Sequence, residues 1–310
     1  LSNNKGINKQ GGGLTAPALT AKDMEDIKTA MAFQCDYLAV SFPKSATDME
    51  MARQLANVAG EPWRHKPALI AKIERSEAIP ALEEIVRASD GIMVARGDLA
   101  VEVGDAAVPA LQKRMIRMAR EKQKLTITAT QMMESMISSP IPTRAEVSDV
   151  ANAVLDGTDA VMTSAETAAG KYPAETIAAM VRVCVEVEKE DSLQQERRGG
   201  PGQIDVENSI ARATAFTAAG LPIKAIAALT QSGRTALLMS RMAISVPIRR
   251  LIAPWPCASR SSRSIRPRTA TPGATSPVSS TSVPTSVSSW RVAARQATNA
   301  DSMARCQIGR

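Results

Sequence analysis

Histidine occurs once in this chain of 310 residues, at His65. That scarcity excludes an imidazole-rich zinc site and a Ser-His-Asp triad built within the chain. Aromatic residues make up only 3%, so a core of this size has to be aliphatic. The four cysteines, Cys35, Cys184, Cys257 and Cys306, lie far apart with no Cys-x-x-Cys pair. Cys35 and Cys184 fall in apolar helical contexts and read as reduced core thiols of a cytosolic protein. No apolar run approaches the roughly 20 residues of a membrane span, and no charged-then-apolar segment opens the sequence. The first residue is Leu1, not Met, which reads as a piece of something longer.

Lysine and glutamate are both missing from residues 249–310, which hold ten Arg and one Asp. The formal net charge of +7 therefore sits in that tail, and residues 1–248, with 28 basic against 30 acidic side chains, are mildly acidic. A body of this charge offers no footprint for nucleic acid or an anionic membrane. The tail uses Arg, Ser, Thr, Pro and Ala without sustained periodicity. It reads as a frame-shifted translation of GC-rich coding sequence, the alternative being a genuine basic tail that binds polyanions, and on either reading it is expected to be disordered.

What is present is alternation. Thr20 caps a predicted helix through Met24, Ile27 and Met31, followed by a strand at Asp36–Phe42 and a helix at Ala46–Ala59. Strands are expected at Ala68–Glu74, Gly91–Asp98, Leu125–Thr130 and Asp159–Met162. Helices are expected at Ser76–Arg87, around Val108–Met118, after the capping box Thr143-Arg-Ala-Glu146, and at Ala174–Glu188 with Ile177 and Met180 inward. Strands apolar on both faces between helices imply a parallel α/β sheet, either doubly wound or a (β/α) barrel.

The polar residues favour the barrel. Lys72 and Glu74 lie two apart in the apolar run Ala68–Glu74 and so share one face; burying both is costly unless they are paired or used in chemistry. Asp98 and Thr130 close the next two runs. Chemistry gathered at the C-terminal ends of several strands is the arrangement of a (β/α)8 barrel, of which the last five strands are visible; the first three are expected before Leu1. A lysine and two carboxylates on one rim suit phosphoryl transfer or enolate chemistry with Mg²⁺, and the plain alternative is a buried Lys72–Glu74 ion pair. A polar, Gly-rich linker at 191–205 precedes a second α/β region, with a helix at Val206–Ala219, a strand at Lys224–Thr230, a Ser232-Gly-Arg-Thr235 turn opening a helix, and a strand beginning at Ile244–Ile248. The Ser-Gly-Arg-Thr turn offers donors and a guanidinium to a phosphate, or is an ordinary capped turn.

The segments Ile70-Ala-Lys72-Ile-Glu74, Met93-Val-Ala-Arg-Gly-Asp98-Leu, Ala129-Thr130-Gln-Met-Met-Glu-Ser-Met136, Pro142-Thr-Arg-Ala-Glu146 through Gly157, Ser164-Ala-Glu-Thr167 and Leu1-Ser-Asn-Asn-Lys5-Gly-Ile-Asn8 together resemble the pyruvate kinases, the bacterial branch above all, over residues 1 to about 248. The resemblance implies transfer of a phosphoryl group from phosphoenolpyruvate to ADP, giving pyruvate and ATP, in a cytoplasmic enzyme that is a homotetramer when complete and uses Mg²⁺ and K⁺. It implies that Lys72 stabilises the enolate and the moving phosphoryl group, that Glu74 and Asp98 bind Mg²⁺, and that Gly97 and Asp98 with Thr130 hold the substrate carboxylate. Most K⁺ ligands are expected before Leu1. Thr230, Ser232, Gly233, Arg234 and Thr235 resemble the loop that cradles the phosphate of an allosteric effector. The implied domains are a partial catalytic barrel at 1–190, the linker at 191–205, the start of an effector domain at 206–248, and the aberrant tail at 249–310. Two departures stand out: Ala100 replaces a usual glycine, at a cost if that position needs positive φ, and Thr163 replaces a usual leucine. Rival readings are another Mg²⁺-dependent phosphoenolpyruvate- or pyruvate-binding barrel of aldolase or lyase type, and a non-catalytic truncated gene product. Catalysis by the 310 residues alone is not expected.

Overall fold

The computed structural model describes residues 10–12, 17–189, 205–223, 225–230, 233–240, 242, 248–251 and 307–308. It divides into two units, 1–195 with 292–310, and 196–291.

In the first unit the strands are β1 (Tyr37–Val40), β2 (Ala68–Ile73), β3 (Gly91–Ala95), β4 (Leu125–Ala129) and β5 (Ala160–Met162). The helices are α1 (Ala21–Ala32), α2 (Ala46–Gly60), α3 (Leu82–Ala88), α4 (Arg96–Val103), α5 (Val108–Glu121), α6 (Arg144–Asp156), α7 (Ala165–Ala168) and α8 (Pro173–Val187). Helix starts follow local chemistry: Thr20 with Asp23, Ser45 with Asp48 and Thr143 with Glu146 each form a reciprocal capping box. Helix α6 stops at Gly157, whose φ of +91° favours glycine and where a Cβ would strike Arg120.

All neighbouring strands are parallel, and their spatial order is their order in the chain, β1 to β5. That order decides between the two architectures, because a doubly wound sheet reverses at a switch point and a barrel does not. The outer edge of β1 also pairs with the two-residue strand Gln307–Ile308.

Strand side chains alternate between two apolar clusters. Leu38, Val40, Leu69, Ala71, Ile73, Ile92 and Val94 pack with the helices, whereas Ile70, Met93 and Ala129, with Ala39 and Ile127, form a separate cluster. Lys72 has the parity of Ile70, so the same alternation that sends Ile73 under the helices aims Lys72 away from them.

Several expected boundaries move. The helix expected over Ser76–Arg87 is a 3₁₀ turn, Ser76–Ala78, followed by α3; Pro80 has no N–H to donate, which interrupts the hydrogen-bond ladder of a continuous helix although Ile79 itself keeps helical angles. Strand β3 ends at Ala95, and Arg96 already belongs to α4, which places Gly97 and Asp98 in a helical first turn. Ala100 lies inside α4 without positive φ, so alanine carries no strain there and is a better helix former than glycine. Ile177, expected inward, is 41% exposed, and α8 buries Thr176, Ala179, Met180 and Cys184.

In the second unit, α9 (Val206–Gly220) is capped by Asp205, which accepts from Asn208 N–H. Strand β6 (Ile226–Leu229) pairs in parallel with β7 (Ile248–Leu251), and α10 (Arg234–Ser240) connects them. The strand expected to begin at Ile244 is observed from Ile248 onward, and 243–247 lie outside the described residues. Ala211, Ile226, Ala228, Leu238 and Met239 form this unit's core. Among the described residues, no helix is long and apolar enough to cross a membrane.

Candidate active site

The C-terminal ends of β1 to β5 carry the polar groups. Lys72 and Glu74 are 6% and 1% exposed, and Lys72 Nζ lies 2.7 Å from Glu74 Oε1. The lysine also donates to Ser41 Oγ at 3.1 Å, and Glu74 Oε2 accepts the Phe42 N–H at 3.0 Å. The end of β1 therefore supplies a partner to each member of the pair. Phe42 takes φ +56°, an uncommon conformation for a bulky residue, and its ring carries the Arg75 guanidinium 5.3 Å from the centroid.

Burial pushes the Glu74 carboxyl above its ordinary value. Lys72 and the Phe42 N–H oppose that shift, and the negative charge of Asp98 adds to it. Two carboxylates thus repel one another at one end of the sheet. Among the described residues, no three His, Cys, Asp or Glu side chains form a protein-only metal cage. A pair of hard carboxylates, the charge of one raising the proton affinity of Glu74, fits Mg²⁺, which takes one or two protein carboxylates and completes its shell with water and substrate oxygens.

On the neighbouring strand ends, Gly97 N–H donates to Thr130 Oγ1 at 2.8 Å, and that hydroxyl donates to Ala129 O at 2.6 Å. A Cβ on Gly97 would sit 3.6 Å from Thr130 Oγ1, so glycine leaves the space facing that hydroxyl open. Thr130 and Gln131 have φ of +68° and +54°. Non-glycine residues in this region are strained and persist where their surroundings over-determine them.

The family model described as "Pyruvate kinase, barrel domain" matches residues 1–177, and that described as "Pyruvate kinase, alpha/beta domain" matches 208–296. The chain belongs to the pyruvate kinase family. The second match runs past Arg249, where the repeating strand–helix pattern stops. Among curated relatives, pyruvate kinase II of Salmonella typhimurium is 55% identical over 253 residues, covering 80% of this chain and 52% of the relative. Pyruvate kinase of Haemophilus influenzae is 53% identical over the same shares, and that of Mycobacterium intracellulare is 44% identical over 256 residues, covering 83% of this chain and 53% of the relative. The chain spans about half the length of the curated relatives it matches.

Five residues that serve this rim escaped the sequence reading: Ser41, Phe42, Arg96, Asp149 and Glu166. Ser41 closes an apolar strand with a polar group, the same signal that marked Lys72. Buried Glu166 accepts from Met133 N–H at 3.2 Å and Ser164 N–H at 2.6 Å, joining the loop after β4 to the end of β5. Thr163, the departure from leucine, shares a 2.9 Å hydrogen bond with Thr167, which gives its hydroxyl a partner. In the second unit, Gly233 N–H donates to Thr230 Oγ1 at 3.1 Å, and Thr235 lies in the first turn of α10. Arg234 pairs with Glu207 at 2.7 Å and Asp205 at 3.1 Å. Ser232 lies outside the described residues, as does the Leu1–Asn8 segment.

Proposed function

We propose that this protein serves pyruvate kinase chemistry, the transfer of a phosphoryl group from phosphoenolpyruvate to ADP. The supporting observation is the convergence, at the ends of β1 to β4, of a buried cation, two mutually repelling carboxylates and an N–H/hydroxyl pair. A β-phosphate oxygen of ADP forms the new bond to phosphorus as the bond to the enol oxygen breaks. The enol oxygen keeps the electron pair, and protonation at C3 gives pyruvate. Lys72, fixed by Glu74 and Ser41, faces the charge that develops on the enol and phosphoryl oxygens. The substrate carboxylate takes over the Gly97 N–H from Thr130 Oγ1 and is held there with the Asp98 N–H and the Thr130 hydroxyl. Glu74 and Asp98 would hold Mg²⁺, which supplies positive charge to the substrate oxygens when bound.

K⁺ is proposed as a second cation, with no ligand assigned among the described residues. Thr230, Ser232, Gly233, Arg234 and Thr235 are proposed to receive the phosphate of an effector, for which Arg234 has to leave Asp205 and Glu207. A cytoplasmic homotetramer is proposed for the complete protein, and resequencing the coding DNA across codon 249 checks the frame-shift reading of the tail. The decisive experiment is calorimetric titration of the protein with phosphoenolpyruvate, with and without MgCl₂. Binding that requires Mg²⁺ and is lost in Glu74→Gln is expected; binding indifferent to both would defeat the proposal.

A further inference from the structure

We infer that Arg96 is a positioning residue whose guanidinium holds the strained turn after β4 in the shape that sets Thr130 against Gly97. The side chain is 9% exposed and donates to three successive carbonyls. Nε reaches Ala129 O at 3.3 Å and Thr130 O at 3.2 Å; Nη2 reaches Thr130 O at 2.6 Å and Gln131 O at 3.3 Å. Nη2 also touches Met132 Sδ at 2.8 Å, and Nη1 pairs with Asp149 of α6 at 2.7 Å.

Successive carbonyls in an extended strand point to opposite sides, so three can converge on one cation only if the chain curls. The curl is visible as the two left-handed residues, Thr130 and Gln131. Such conformations are held by their surroundings, and a planar fork of five donors is the side chain suited to that task. Arg96 directly precedes Gly97, so the residue that shapes the turn belongs to the same helical turn as the N–H that Thr130 receives. Glu166 on Met133 N–H and Glu146 on Ser135 N–H, at 2.6 Å, fix the loop farther along, leaving Thr130 and Gln131 to Arg96. The consequence for the substrate carboxylate rests on the function proposed above; the consequence for the turn does not.

The test is amide hydrogen exchange of the whole chain, read on peptides covering 130–136, for Arg96→Met, Arg96→Lys and Asp149→Asn. Loss of several charge-assisted bonds should speed exchange at 130–132 by about ten- to a hundredfold, with β1 and α5 unchanged. Arg96→Lys, which keeps the charge and loses the fork, should fall between parent and Arg96→Met. Asp149→Asn keeps the carbonyl contacts and should have a smaller effect than Arg96→Met; it carries the test should Arg96→Met fail to fold. Adding Gln131→Gly to Arg96→Lys relieves the left-handed strain and should return exchange toward the parent. Unchanged exchange at 130–132 in folded Arg96→Lys, or a rise spread evenly over the sheet, would overturn the inference. If exchange responds as expected while phosphoenolpyruvate with Mg²⁺ fails to bind the parent, the positioning role stands and the proposed function falls.

Discussion

Replacing Lys72 with Met removes a buried cation and leaves its partner. Methionine is close to lysine in length and packs beside Ile70, so the cost is electrostatic more than steric. Glu74 loses its 2.7 Å ion pair while remaining 1% exposed, with the Phe42 N–H at its second oxygen. Removing one member of such a buried pair costs about 3–5 kcal/mol, which corresponds to a melting shift on the order of 10 °C for a unit of this size. The cost depends on pH with a definite sign. The folded pKa of Glu74 already lies above the ordinary 4.5, chiefly through burial, and loss of Lys72 removes the main force opposing that rise. A carboxyl raised on folding binds more protons folded than unfolded, so its contribution is fully present below the unfolded pKa and is lost as pH rises through the folded one. The destabilisation by Lys72→Met should therefore be smallest near pH 4.5 and grow toward pH 8. In Lys72→Met/Glu74→Gln the neutral amide still accepts the Phe42 N–H and leaves no buried charge, so about 2 kcal/mol should return. Denaturant melts of the four proteins in EDTA at several pH values measure this cycle. A Lys72→Met penalty that is flat in pH, or a double variant no more stable than the single one, would refute the reasoning.

Two further outcomes follow from local structure. Burial alone pushes the Glu146 carboxyl up, but donors from Ser135 and Thr143 together outweigh it and hold the group below its ordinary value; Glu146→Ala should cost about 1 kcal/mol above the ordinary carboxylate pKa, and the cost should shrink as pH falls through the folded pKa. Equal penalties at pH 7 and pH 3 in urea melts contradict this. Ala100→Gly should lower stability by about 0.5–1 kcal/mol, because position 100 is helical; a stabilising effect in thermal melts would mean that the position requires left-handed backbone.

Much of the fold was legible because its signals are local. Capping boxes at Thr20 and Thr143, helical spacing in α5 and α6, and two-sided apolar strands each depend on residues within one or two turns of one another. The rim was legible for the same reason: Lys72 and Glu74 violate an apolar run, and a violation is visible without partners. The misplaced segments are those where one residue overrode the pattern, as Pro80 did for α3 and as the early start of α4 did at Arg96.

By itself the sequence determined the alternating strands and helices, the parallel class, and which charged groups have to be satisfied inside. Tertiary structure alone decided that the strands lie in chain order, that Ser41 and Phe42, about thirty residues upstream, meet the Lys72–Glu74 pair, and that Arg96 gathers three carbonyls from the end of β4 and the turn after it, over thirty residues away. The physical reason is range: periodicity and capping act within a few residues, whereas a buried charge is satisfied by whichever chain segment packing brings to it.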